Sequence, residues 1–333
     1  MKFLSFFVAR ILKMLLVVLG VVIINFFLIR LAPGDPAAVL AGQAGSSDPA
    51  YLEQLRAAFG LDKPLLTQLW IYIKDVAHLN LGYSYRSGEP VLKLIMQRLP
   101  ATFLLMASAF VFSIILGIIF GVVAARARVT RKGWLDNTVT TTALVLYATP
   151  LFWLSLMGIL LFSVVLGWLP AFGMESVGSR LTGLARARDI GYHLILPTIT
   201  LGCFFMAFYV RLTRASMLEV INMDFVKTAR AKGLPSGLIT RRHVLRNALL
   251  PVITFAGIQL GQMAGGAVLT ETVFAWPGIG RLMFDALLQR DYQLLLGIFL
   301  ITSTMVVVFN FITEIIYRIV DPRIAAGAQE GGA

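Results

Sequence analysis

Six stretches of this sequence run without a charged side chain for roughly the length a bilayer demands: residues 14–29, 102–125, 139–167, 194–210, 248–270 and 293–313. A hydrocarbon layer of about 30 Å takes ~20 helical residues and offers no water to backbone amides, so such runs must fold as helices that pair their own amides. The first run is short, but Arg10 and Arg30 bound it, and their long stems can snorkel to the interfaces. The run from Leu194 reaches full length only with Tyr192 and His193. Composition agrees, because 58% of the 333 residues are hydrophobic, 14% are charged and the mean hydropathy is +0.82, which excludes an ordinary soluble domain. The expectation is an all-α, polytopic membrane protein with six transmembrane helices. Lys2, Arg10 and Lys13 precede the first run, as they would in a signal anchor or a cleaved signal; the bounded length favours the anchor.

A net charge of +12 could suggest nucleic acid, but no basic stripe interleaves with aromatics, and Lys and Arg collect beside the apolar runs instead. Arg126, Arg128, Arg131 and Lys132 form one strongly basic short connection, and the segment from Arg211 and Arg214 to Arg246 is basic too. Both are expected to be cytoplasmic, along with both termini. The segment 31–98 balances six basic residues against six acidic ones, as a translocated segment can. The connection holding Arg180, Arg186 and Arg188 runs against this trend. Trp168, Tyr192, Trp276 and Tyr292 fall at the expected interfacial depth. Cys203 is the single cysteine and lies inside an apolar run, so it reads as a small packing residue rather than half of an intramolecular disulfide.

Between the first two runs, RLAPGDPAAVL (30–40) breaks the helix with paired prolines and Gly34. Asp48-Pro49 then starts a short helix with Leu52, Leu55 and Phe59 on one face and Gly60 as its stop. Asp62 and Pro64 start a second, in which Leu65, Leu69, Ile73 and Val76 recur at helical spacing with Trp70 and Tyr72 nearby. That pattern is an amphipathic helix for the membrane surface or for other spans.

The segment 222–251, NMDFVKTARAKGLPSGLITRRHVLRNALLP, is basic and punctuated by Gly and Pro. Asn222 or Asp224 can cap a short helix whose surface Thr228, Ala229 and Ala231 keep low, and Gly233 can take the left-handed conformation at its end. Pro235 forbids simple continuation, and a second helix opens near Ser236, carrying Arg241, Arg242, His243 and Arg246 toward Pro251. In the fifth run Gly257, Gly261 and Gly265 make a small-residue stripe for close helix packing. Gln259 and Gln262 need a partner or a water-filled path, which makes them candidates for the lining of one. Beyond it, in ETVFAWPGIGRLMFDALLQRDYQLLLG (271–297), Pro277, Gly278 and Gly280 break the helix and Arg281 begins a new amphipathic piece, a re-entrant or gate-like element.

KTARAKG followed by HVLRNALLP resembles the conserved cytoplasmic loop of ATP-binding-cassette importer permeases, in which Ala229, Gly233, Leu250 and Pro251 match the pattern strictly. The long Gly-to-Pro separation resembles the peptide-import branch, as do RLAPGDPA, FGLDKPLLTQ, LNLGYSYRSGEPV and the 271–297 segment. The resemblance implies a type I importer permease fold. It further implies that Asp224, Thr228, Ala229, Ala231, Gly233 and Leu234 couple to an ATPase, and that Glu271, Trp276, Pro277, Gly278 and Gly280 belong to an external gate loop. The implied partners are a second related permease, two cytoplasmic ATPase domains, an extracytoplasmic substrate-binding protein, peptide cargo and the lipid bilayer. ATP and Mg would be bound by the ATPase subunits, with no cofactor in this chain. The implied organisation is a first span over 1–30, an extracytoplasmic segment over 31–98, a permease core over 99–320 and a tail over 321–333. The core would hold a coupling loop at 211–247 and an external loop at 271–292. The implied location is the bacterial inner membrane.

There is no GxxxxGK[ST] loop, so the chain is not itself expected to hydrolyse ATP. An ion-coupled secondary transporter is the alternative, but it normally keeps ionisable groups at mid-membrane, and here only Glu314 lies near a span end. His78, His193 and His243 are scattered, and neither HExxH nor GxSxG occurs, which disfavours an intramembrane enzyme.

Overall fold

The computed structural model describes residues 2–31, 49, 53, 56, 62–84, 86–178 and 180–320. Its helices are α1 (Lys2–Leu31), α2 (Leu65–Ala77), α3 (Val91–Val129), α4 (Gly133–Ala148), α5 (Leu151–Gly158), α6 (Gly183–Val220), α7 (Asp224–Ala231), α8 (Ser236–Leu238), α9 (Arg246–Val273), α10 (Ile279–Leu288) and α11 (Tyr292–Val320). The π-helical stretches Ile159–Val165 and Ile239–Leu245 continue α5 and α8, and β1 (Tyr83–Ser84) and β2 (Glu89–Pro90) are two-residue strands.

Among the described residues four helices, α1, α3, α6 and α11, are long and apolar enough to cross a membrane, and α4 with α5 makes a fifth if the bent pair counts as one span. The apolar run 248–270 lies within the continuous α9. The run expected to make one span over 139–167 is a bent pair, in which the chain turns by 103° between α4 and the α5 segment. Pro150 is the cause: it excludes Thr149 from the helical region, leaving it at φ −77° and ψ 129°, and it supplies no amide for a continuing turn. The chain is helical as expected, and the described residues add one small antiparallel ribbon, in which Tyr83 faces Pro90 and Ser84 faces Glu89. Of the helix expected over 48–60, Pro49, Glu53 and Arg56 are helical and exposed; its other residues, and the tail 321–333, lie outside the described residues.

The chain divides into two compact units, Met1–Arg98 with Leu282–Val308, and Leu99–Arg281 with Phe309–Ala333. In the first, Val22 and Phe26 of α1 are buried, and the Phe26 ring lies 5.8 Å from that of Tyr72 in α2. The ribbon is fastened to the start of α11. Ser84 Oγ donates to Asp291 Oδ2, while Asp291 Oδ1 accepts the Leu294 amide at 3.1 Å, and Gln293 Nε2 donates to the Leu81 carbonyl at 2.8 Å.

In the second unit α3 crosses α6 at Gly117 and Gly121, spaced four apart. A β-carbon at these positions would lie 2.3 Å from Tyr209 Cβ and 2.6 Å from Thr213 Cβ, so backbone contact there depends on glycine. Gly257 of α9 serves the same purpose against Thr313 of α11, whose Oγ1 donates to the Gly257 carbonyl at 2.7 Å. That member of the expected stripe therefore packs within this chain. The surroundings of Gly261, Gly265 and Gln262 lie outside the described residues. An apolar cluster of Ala101, Leu105, Met106, Leu201, Ala267 and Trp276 binds α3, α6 and α9 together. Arg186, part of the basic exception, pairs with Glu175 at 2.6 Å and holds that carboxyl below its ordinary range.

Candidate functional site

The segment 222–245 forms a short helical elbow between α6 and α9. Met223, extended at φ −69° and ψ 152°, turns the chain before α7. The expected side-chain cap is absent: Asn222 Nδ2 donates back to the Leu218 carbonyl at 2.9 Å, and Asp224 is already the first helical residue. Asp224 instead accepts Lys227 Nζ at 2.8 Å and places an acid in the first turn, where the helix dipole favours it. The end of α7 follows expectation. Gly233 adopts φ +72°, and its amide reaches the Arg230 carbonyl at 2.9 Å. The chain then enters α8 after Pro235 and continues through the π-helical stretch into α9, with Pro251 inside that helix rather than at its start.

The two faces of α7 differ sharply. Val226 and Ala229 are buried in a cluster with Ala125 of α3, Met217 and Val220 of α6, Ile239 and Val244 of the π-helical stretch and Ala248 of α9; Leu234 packs at its edge. Asp224, Lys227, Thr228 and Ala231 are exposed, and Thr228 Oγ1 turns back to the Asp224 carbonyl at 3.0 Å. The elbow thus offers outward a mixed surface, in which Met223, Phe225 and Leu238 are exposed beside the polar residues, while three long helices meet beneath it.

Just above the elbow, Arg214 of α6 donates twice to Asp136 of α4, Nε to Oδ1 at 2.6 Å and Nη2 to Oδ2 at 2.7 Å. Asp136 is 1% exposed, so this is a bidentate pair with a desolvated acid. Sequence reasoning treated Arg214 as a topological charge and assigned Asp136 nothing. The available signal was that Asp136 is the only acid between Arg126 and Pro150.

The 271–281 segment is more interior than expected. Glu271 and Trp276 are each 0% exposed, so the Trp276 ring packs against protein; its Nε1 donates to the Ala101 carbonyl at 2.8 Å. The helix break covers Phe274–Gly278, and Gly280 sits within the first turn of α10 instead of breaking it. The Glu271 carboxylate caps that turn: Oε2 accepts the Gly280 amide at 2.7 Å and the Arg281 amide at 3.1 Å, and Oε1 accepts Thr102 Oγ1 at 2.7 Å. Thr102 Oγ1 in turn accepts the Ile279 amide at 2.8 Å. One carboxylate and one hydroxyl thereby satisfy three amides that no helix could satisfy itself. A β-carbon at Gly278 would lie 2.2 Å from Glu271 Cδ, and one at Gly280 would lie 2.5 Å from Val268 Cα, which explains both glycines. Pro277 stands in the break between them. Thr102 was not singled out from sequence, because its partner lies 169 residues away. Gln259 is buried in α9. Among the described residues no cluster of His, Cys, Asp and Glu could hold a metal.

Known proteins give this arrangement a class. The chain belongs to the binding-protein-dependent transport system inner membrane component family, whose model matches residues 117–326, with the model for the N-terminal part matching residues 3–106. It is 38% identical to a dipeptide transport system permease protein DppB of Alkalihalophilus pseudofirmus, over 96% of this chain and 99% of the relative. It is 40% identical to the di/tripeptide permease DppB of Pseudomonas aeruginosa, over 96% of this chain and 98% of that one, and 40% identical to the dipeptide permease DppB of Escherichia coli, over 92% and 94%. A chain of the MetNI methionine ABC transporter in an inward-facing conformation shares the fold, with a TM-score of 0.56 and 19% identity over 69% of this chain and 97% of that one. The protein is therefore the multi-pass membrane component of an ABC import complex, working with an ATPase and a binding protein and not itself the ATPase.

Proposed function

We propose that this chain is one of two related permease subunits of an ATP-driven, binding-protein-dependent importer of dipeptides or oligopeptides in a bacterial inner membrane. The carrying observation is the burial of Val226 and Ala229 of α7 against the ends of α3, α6 and α9. Packed interiors shift between discrete arrangements rather than deform continuously, so a displacement of α7 is passed to all three helices. The exposed face with Asp224, Thr228 and Ala231 meets the cytoplasmic ATPase, and Gly233 and Leu234 set its angle. Peptide cargo is supported by the names of relatives aligned over nearly the whole chain.

In this reading both termini and the elbow face the cytoplasm, where the basic connections favour them, and residues 31–98 and 271–292 face outward. Gln259 and Gln262 are the path candidates, and the Glu271–Gly280 turn is a gate element at the outer end of α9. ATP and Mg belong to the two ATPase domains. The test is reconstitution. With partner permease, ATPases and binding protein, proteoliposomes should take up labelled peptides on ATP addition, whereas the lone chain should not accumulate them under a proton or sodium gradient. Gradient-driven accumulation by the lone chain would overturn the proposal in favour of a secondary carrier.

A further inference from the structure

Helix α2 has two apolar faces, and the described residues cover one of them. Leu69, Tyr72, Ile73 and Val76 are partly buried, and Tyr72 meets Phe26 near the end of the apolar window of α1. On another face Leu66, Trp70 and Lys74 follow at intervals of four residues, which stacks them along one line of the helix. Leu66 is 79% and Trp70 68% exposed, and Lys74 is exposed too. An apolar residue, an indole and a cation in sequence along one line match the graded polarity of a membrane–water boundary.

Length and position narrow the occupant. The uncharged stretch between Lys63 and Lys74 is Pro64–Ile73, at 1.5 Å per residue about 15 Å, half of a hydrocarbon layer, so α2 cannot cross. Its contact with Phe26, two residues before Leu28 at the end of the window Arg10–Leu28, sets it at that boundary. Residues Ile24, Phe27 and Leu28 of α1 are themselves exposed and apolar. We infer that α2 is an interfacial helix whose Leu66–Trp70–Lys74 line is seated in the lipid headgroup and upper acyl region, where it fixes the depth of α1. Lys63 and Lys74, at the two ends of the uncharged stretch, suit lipid phosphates.

The test uses the full chain carrying Cys203→Ser, in nanodiscs of phosphatidylcholine and phosphatidylglycerol, with a nitroxide placed by Leu66→Cys, Trp70→Cys or, as the contrasting exposed position off this helix, Ser87→Cys. Power-saturation electron paramagnetic resonance compares access of lipid-soluble oxygen with that of a water-soluble nickel chelate. Labels at 66 and 70 should favour oxygen at least severalfold relative to the label at 87. Equal nickel access at 66 and 87 would place the face in water. Exclusion of both reagents at 66 once the partner permease and binding protein are added would assign it to a protein partner; either outcome overturns the inference. All three sites are exposed, so the labels leave the fold intact, and the readout is independent of which cargo is carried.

Discussion

Replacing Glu271 tests whether one buried carboxylate holds the start of α10. In Glu271→Ala the Gly280 and Arg281 amides lose their acceptor, and Thr102 Oγ1 loses the group to which it donates. A buried donor left unpaired costs about 1–3 kcal/mol, but the Arg281 amide is only part-buried and can recruit water, so the net loss should be about 2–4 kcal/mol. Glu271→Gln keeps one oxygen for the two amides while turning an NH2 group toward Thr102, and should lose roughly half as much. Thr102→Val removes the acceptor of the Ile279 amide, at about 1–3 kcal/mol. Because Glu271 and Thr102 are bonded, the double variant should lose less than the sum of the single losses by more than about 0.5 kcal/mol. The measurement is reversible unfolding by SDS titration in mixed micelles, with peptide uptake followed in parallel. A Glu271→Ala protein within about 0.5 kcal/mol of wild type, or strict additivity with Thr102→Val, would refute the capping role.

The other tests address the elbow, the helix crossing and the orientation. Gly233→Val should assemble with its partners yet transport poorly: nothing lies within 4 Å of the added β-carbon, so the loss of about 1–2 kcal/mol is backbone strain at φ +72° alone. Gly233→Asn should recover part of the uptake, and wild-type uptake with Val would sink the idea. Gly121→Leu should separate α3 from α6 and lower the yield of folded protein in fluorescence-detected gel filtration, while Gly133→Ala, with open space at its β-carbon, should behave as wild type. For topology, in a Cys203→Ser background, Ser87→Cys should react with an impermeant thiol reagent in intact spheroplasts and Ser236→Cys should not; the reverse pattern would invert the assigned orientation.

What the sequence determined by itself was chiefly what lipid and local backbone chemistry dictate. Uncharged runs become helices because hydrocarbon leaves a backbone no alternative, and five of the six runs lie within helices while the run 139–167 is helical on both sides of its break at Thr149–Pro150. Gly233 ends α7 in left-handed geometry because that preference belongs to the residue itself. Pro150 could have been read the same way, yet it was passed over inside an apolar run that looked continuous. Tertiary structure alone decided the pairings. Thr102 meets Glu271 and Asp136 meets Arg214 across separations of 169 and 78 residues, and no local pattern encodes which buried acid finds which donor. The same holds for glycine. The stripe in α9 and the Gly117–Gly121 pair in α3 look alike in sequence, but only the packed helices show what each touches, Thr313 for Gly257 and Tyr209 and Thr213 for the pair. The burial of Trp276 was hidden for that reason too: an indole suits a lipid boundary or a packed interior, and the Ala101 carbonyl that satisfies its N–H arrives from a distant helix.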